Sequence, residues 1–149
     1  MSIENVLAGR YASSAMTELF SSESKIVFER QLWVAILIAQ KQLGIEISDE
    51  AIEGYEAVIH EVNLPSINER EKVTRHDVKA RIEEFCSLAG HEQIHQGMTS
   101  RDLTENIEQL QIRKGLEIII DRVVASLARL SALAIEHEHL AIVGRTHNV

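Results

Sequence analysis

The sequence predicts an all-α fold, a small helical N-terminal domain over residues 1–100 followed by residues 101–149 as the first long helix of a truncated helical-bundle domain. Three observations carry this. Ala, Leu, Ile, Glu and Gln are plentiful, aromatics reach only 4% and the single proline is Pro65, a mix that favours helix because straight-chain residues lose little rotamer freedom there. Apolar residues recur at helical spacing in several windows bounded by Ser, Thr and Gly. From residue 100 to about 139 no proline or other strong break interrupts the pattern. Hydrophobic residues at 45% and charged residues at 26% mark a globular chain, and 149 residues suffice for one sizeable core.

The elements follow in order. Residues 1–20, with Gly9 and the small run around Ala12 and Ala15, read as an irregular arm. A helix is expected from Ser21 or Ser22, whose hydroxyl can accept a first-turn N–H, to a stop at Gly44. Its stripe runs through Phe28, Leu32, Ile36 and Leu43, widened by Val27, Trp33 and Leu37, so the helix is expected to be largely buried. A second starts at a Ser48 cap, buries Ile52, Tyr55, Ile59 and Val62, and is broken by Asn63 and Pro65. Ser66 with Glu69 reads as a capping box for a short charged segment. Thr74 with Asp77 gives a similar signal for a helix through Val78, Ile82, Phe85 and Ala89 to Gly90. After a turn-rich stretch, Ser100 can cap the long helix. Its residues Leu116, Ile120, Val123, Leu127, Leu130 and Ala134 alternate four and three apart, the seam of a bundle or coiled coil. Such a rod needs partner helices. The sequence stops in loop-like residues at Val149, the first sign that it is part of a longer protein. No internal repeat or low-complexity tract is evident.

Fifteen basic against twenty-three acidic residues leave a net charge of -8, which argues against a nucleic-acid partner. Small anions remain possible ligands. The single Cys86 excludes an intramolecular disulfide and fits a reducing compartment. The longest apolar run, residues 34–39, is too short for a bilayer. The N-terminus shows no secretory pattern, so a cytoplasmic location and no membrane partner are expected.

The sharpest regular expression is His91–Glu92–Gln93–Ile94–His95, which matches H-E-x-x-H. A zinc hydrolase would need it on a helix. Gly90 and Gly97 leave under two turns for that helix, and no third ligand is placed. Hence no metal and no cofactor is expected. His137 and His139 stand two apart and would point to opposite sides of a helix. Cys86, beside Phe85, reads as a packed thiol.

Three polar clusters have less ordinary compositions. Arg75–His76–Asp77 opens a helix, where free N–H groups already attract anions. Gly97–Met98–Thr99–Ser100–Arg101–Asp102 opens the long helix with two hydroxyls. Gly144–Arg145–Thr146–His147 offers an imidazole as acid or base. Singly each is a weak signal: a capped helix start with solvated charges is the better reading of the first alone, and a mere N-cap suffices for the second.

Together with Arg10–Tyr11–Ala12–Ser13, these clusters stand in an order and spacing that resembles the adenylosuccinate lyases of the fumarase/aspartase superfamily. The likeness covers essentially the whole chain, and it places His95 in that family's H-x-G-x-T-S loop. The resemblance implies a mostly helical homotetramer with a long shared bundle. Such enzymes remove fumarate from adenylosuccinate, giving AMP, and from the succinylcarboxamide ribotide of purine synthesis. It implies that Arg10 and Tyr11 bind nucleotide, that Arg75, His76 and Asp77 form a second binding cluster, and that Thr99 and Ser100 hold the succinyl part. His147 then matches the general acid. The family's base, a Ser on a later glycine-rich loop, has no counterpart in this chain, so the chain alone is expected to be inactive. After His147 the sequence reads Asn148–Val149, where many relatives carry a Gln two residues past the His. The rival readings are a non-catalytic helical oligomerisation module and the zinc hydrolase on His91, Glu92 and His95.

Overall fold

Trp33 sits at the centre of the molecule, and the helices are most simply described by how they reach it. The computed structural model describes residues 5–144 and 147. Seven helices are present among them: α1 (Val6–Arg10), α2 (Ser14–Leu19), α3 (Ser22–Gln42), α4 (Asp49–Ala57), α5 (Leu64–Thr74), α6 (Asp77–Ala89) and α7 (Ser100–Glu136). No strand occurs among the described residues, and no helix there is long and apolar enough to cross a membrane.

Local capping chemistry explains most of the helix starts. The hydroxyls of Ser21 and Ser48 each accept a backbone N–H three residues on, at 3.1 Å. α6 stops at Gly90, whose φ of +75° is the left-handed conformation that glycine adopts freely. The expected arm instead holds two short helices. Asn5 caps α1 by accepting from the N–H groups of Leu7 and Ala8, and Ser13 caps α2 by accepting from that of Met16. α2 is kept in place by packing on α3 and α7, where Leu19 is buried and its carbonyl accepts from Gln111 Nε2 at 2.8 Å.

Four caps differ from the sequence expectation. Asn63, not Ser66, starts the fifth helix. Its Oδ1 accepts the Ser66 N–H at 3.0 Å, and Pro65 then sits in the first turn, where a missing N–H costs nothing. His76, not Thr74, caps α6, because its imidazole Nδ1 accepts from the Lys79 N–H at 3.3 Å. Thr74 instead closes a side-chain turn onto the His76 backbone. Thr99 takes the N-cap position of α7 in place of Ser100, and Asp102 Oδ2 reaches back to its N–H at 2.7 Å. α4 also ends at Ala57, before the Asn63–Pro65 break, since the Val58 and Ile59 carbonyls turn inward to a buried arginine.

That arginine also shifts the buried face of α3. The residues that go inside are Ile26, Glu29, Arg30, Trp33, Val34 and Leu37, spaced three and four apart. Leu43, expected in the stripe, is 84% exposed. Trp33 stacks near Phe85, ring centroids 6.1 Å apart. Tyr55 tilts against the same ring at 4.9 Å, and Val34, Leu37, Ile47, Val78, Cys86, Ile94 and Leu103 complete the cluster. Offset and tilted aromatic pairs of this kind add to the gain from burial alone.

α7 has two parts. Leu103, Ile107, Gln111 and Gly115 are buried against α2 and α3. Beyond them Leu116, Ile120, Val123, Leu127 and Leu130 are all exposed. With 37 residues the helix is about 56 Å long, and its far half extends past the rest of the chain.

Candidate functional site

α6 and α7 begin close together, and this brings two of the predicted clusters into one corner. His76 caps α6 with Nδ1, so in its neutral form the proton sits on Nε2. That Nε2 lies 3.5 Å from the Ser100 hydroxyl in the first turn of α7. Thr99 and Arg75 flank the pair, both exposed. Arg75 holds the left-handed conformation, φ +51° and ψ +32°, with its N–H bonded to the Glu71 carbonyl. Such a conformation is uncommon for a residue with a Cβ, and here it makes the sharp turn between α5 and α6. Two helix N-termini, each with a positive dipole end, thus converge at an imidazole and a hydroxyl, with Arg75 and Thr99 next to them in sequence.

Asp77 completes the corner. Its Oδ1 lies 3.6 Å from His76 Nδ1, and its Oδ2 accepts from Arg81 Nη2 at 2.9 Å. Partial burial pushes its carboxyl up, but the Val78 N–H, Arg81 and His76 together outweigh this and hold it below the usual carboxylate range. Arg81 also faces the Glu29 carboxylate on α3, Nε to Oε2 at 2.7 Å. The Nε–H is not aligned on that oxygen, so the contact is an ion pair without a good hydrogen bond. Burial pushes the Glu29 carboxyl up, against the pull of Arg81 and Lys25.

The loop leading into the corner is pinned from the core. Tyr55, fully buried, donates its hydroxyl to the His91 carbonyl at 2.6 Å and accepts from the Gln93 N–H at 3.1 Å. Burial raises its phenol far above the usual range, helped by the Cys86 contact, so it remains a donor. Trp33 Nε1 donates to His95 Nδ1 at 3.1 Å. His95 has a φ of +67° and belongs to no helix. His91 and His95 are therefore not one helical turn apart on one face, and the zinc reading fails on its geometric requirement. No group of three or more potential metal ligands occurs among the described residues.

Arg10 and Tyr11 are not drawn into this corner among the described residues. Arg10 ends α1 and Tyr11 caps it, 76% exposed; neither makes a hydrogen bond or ion pair to His76 or Ser100 among the described residues. His147 is exposed and lies beyond α7 in sequence. Arg145, Thr146, Asn148 and Val149 lie outside the described residues. The sequence reading missed Glu29, Arg81 and the partners of Tyr55 and Trp33. A signal existed for Glu29 and Arg30, since both stand at the three-and-four spacing of Ile26, Trp33 and Leu37. For the others the contacts are long-range, and no local pattern marks them.

No family model matches the chain. Adenylosuccinate lyase from Schizosaccharomyces pombe is 37% identical over 147 residues, covering 95% of this chain and 30% of that protein. The enzyme of the same name from Schistosoma mansoni is 34% identical over 146 residues, 96% of this chain and 30% of that one. A crystal structure of fumarate lyase from Mesorhizobium sp. BNC1 superposes with a TM-score of 0.77 at 31% identity, over 91% of this chain and 33% of that one. The chain thus spans about 30% of the length of the curated relatives it matches. Along nearly its whole length this chain is therefore similar in sequence to adenylosuccinate lyases, and in fold and sequence to a fumarate lyase, matching about a third of each.

Proposed function

We propose that the chain contributes part of the active site of an adenylosuccinate lyase, a cytoplasmic homotetramer that eliminates fumarate from adenylosuccinate and from the succinylcarboxamide ribotide. The observation that carries the reading is the meeting of His76 and Ser100 at 3.5 Å, at two converging helix N-termini. A β-elimination needs a base for the proton next to a carboxylate and an acid for the departing nitrogen. It also needs donors for a phosphate and two carboxylates, and for the negative charge that develops on one of them.

In this reading Thr99 and Ser100 hold the succinyl group with hydroxyls and the first N–H groups of α7. His76 offers Nε2–H to a substrate anion, while Arg75 and Asp77 complete the binding cluster. Arg10 and Tyr11 serve the nucleotide, and His147 is the acid that protonates the leaving nitrogen near neutral pH. Residues 1–100 form the N-terminal domain and 101–149 enter the central bundle. In a site assembled from several subunits, Arg10 need not meet the corner of its own chain. The exposed seam of α7 supports the assembly half of the reading by itself, and a purely structural module remains the alternative.

Amide and imidazole NMR of the chain titrated with adenylosuccinate tests this. Shifts are expected at Arg75, His76, Asp77, Thr99 and Ser100, absent in His76→Ala. No fumarate should form, because losing one member of a catalytic unit costs about 10⁴-fold or more. Inorganic phosphate moving the same signals as strongly as adenylosuccinate does would mark a plain anion site and overturn the substrate assignment. Fumarate release at about 10 s⁻¹, an ordinary enzyme's rate, would show that the base lies within this chain.

A further inference from the structure

We propose that Glu29 and Arg81 are positioning residues for the His76–Ser100 corner, holding Asp77 off the His76 imidazole so that its Nε2–H stays turned toward Ser100. The proposal rests on reading that corner as a substrate-binding site, and its geometry can be tested separately.

The contacts form a relay from core to surface. Glu29, fully buried, faces Arg81 Nε at 2.7 Å, and Arg81 is 13% exposed. Arg81 Nη2 grips Asp77 Oδ2 at 2.9 Å. Asp77 Oδ1 is then 3.6 Å from His76 Nδ1, outside hydrogen-bonding distance. Nδ1 accepts from the Lys79 N–H instead, and Nε2 lies toward Ser100. An imidazole beside a carboxylate ordinarily donates Nδ1–H to it, which would leave Nε2 an acceptor in the neutral ring. Arg81 prevents this by occupying Asp77.

Glu29 makes that grip firm. Asp77 and Arg81 are four apart on one helix, and an exposed pair at that spacing restrains little, because the long side chain gives up its entropy to form it. Arg81 has already lost that freedom against the buried Glu29. Stability does not explain the carboxylate. Neither oxygen of Glu29 has an aligned hydrogen-bond partner among the described residues, and a buried carboxylate in that condition costs folding energy. A residue that is unfavourable to folding yet orders a polar corner has the character of a positioning group.

Two variants of the 149-residue chain, Glu29→Gln and Arg81→Lys, decide it. Glu29→Gln removes the charge at nearly constant shape. Arg81→Lys keeps the charge but loses the fork that spans two carboxylates. Long-range proton–nitrogen spectra report the His76 tautomer, and a thermal melt reports stability. In both variants the share of neutral His76 protonated at Nε2 should fall several-fold in favour of Nδ1–H. Glu29→Gln should melt no lower than the unsubstituted chain. An unchanged His76 tautomer in both variants overturns the proposal. So does a Glu29→Gln chain that melts well below the original, since Glu29 would then be an ordinary structural residue. Adenylosuccinate added to the unsubstituted chain bears on the site reading alone: if it leaves His76 and Ser100 unperturbed, that reading fails while the tautomer result stands by itself.

Discussion

The indole N–H of Trp33 donates to Nδ1 of His95 at 3.1 Å, joining residues 62 positions apart in sequence. The bond ties the loop ahead of Thr99 and Ser100 to the centre of the core. It also requires an unprotonated Nδ1. Burial holds the His95 imidazole below the usual histidine range, with Asp102 pulling it up and His76 pushing it down.

The pH dependence follows from that direction. The folded-state value lies below the unfolded one of about 6.5, so the contribution is complete above about pH 6.5. As pH falls below that, the unfolded chain takes up the proton first and stability is lost. Urea unfolding at pH 7.5 and pH 5.5 should show a drop that is smaller in His95→Asn. Asparagine tolerates the positive φ, and its carbonyl can still accept the indole N–H. Equal drops in both proteins would mean that His95 does not titrate differently on folding.

Arg30 and Glu84 form a fully buried ion pair between α3 and α6. Arg30 Nη1 also donates to the Val58 and Ile59 carbonyls at 2.8 and 3.1 Å, and its guanidinium lies 4.6 Å over the Phe85 ring. Glu84 in turn accepts the Asn63 N–H at 3.1 Å. Removing one partner strands a charge in the core, so Glu84→Ala should cost about 3–5 kcal/mol in chemical denaturation. The double variant Arg30→Met/Glu84→Leu should lose clearly less than the sum of its single changes. Additive losses would show that the two charges do not interact.

The uncovered seam on α7 makes association the expected state of the isolated chain. Burying Leu116, Ile120, Val123, Leu127 and Leu130, each at least half exposed, would gain about 7–15 kcal/mol per helix before ordering costs. Sedimentation at micromolar concentration should show dimers or larger species, shifted toward monomer by Leu127→Lys. A clean monomer for both would mean that the stripe does not drive assembly here.

Gly54 lies inside α4 where α6 ends. A Cβ there would meet the Ala89 carbonyl at 3.0 Å and the His91 ring at 3.1 Å. Glycine to alanine in an open helix gains about 0.5–1 kcal/mol, but overpacking against backbone costs about 1–3 kcal/mol. The contact should win, giving a net loss of about 1 kcal/mol for Gly54→Ala. A raised melting temperature would show that α4 can move away freely.

The sequence by itself determined the helical class, the start of α3 at Ser21 or Ser22 and of α4 at Ser48, the stop at Gly90 and the apolar seam of α7. These rest on contacts within four or five residues, which spacing and capping chemistry express directly. It also ordered the clusters that carry the family likeness. Tertiary structure alone decided that His76 rather than Thr74 caps α6, because the cap depends on how the turn after Arg75 aims the ring. The same holds for the polar groups in the core. Glu29 and Arg30 occupy positions that periodicity marks as buried, yet a charge goes inside only when a partner waits there, and Arg81 and Glu84 come from a helix some fifty residues on. The meeting of His76 with Ser100 depends likewise on how α6 and α7 pack around Trp33. Burial of charge and convergence of loops are long-range events, and only the packed chain decides them.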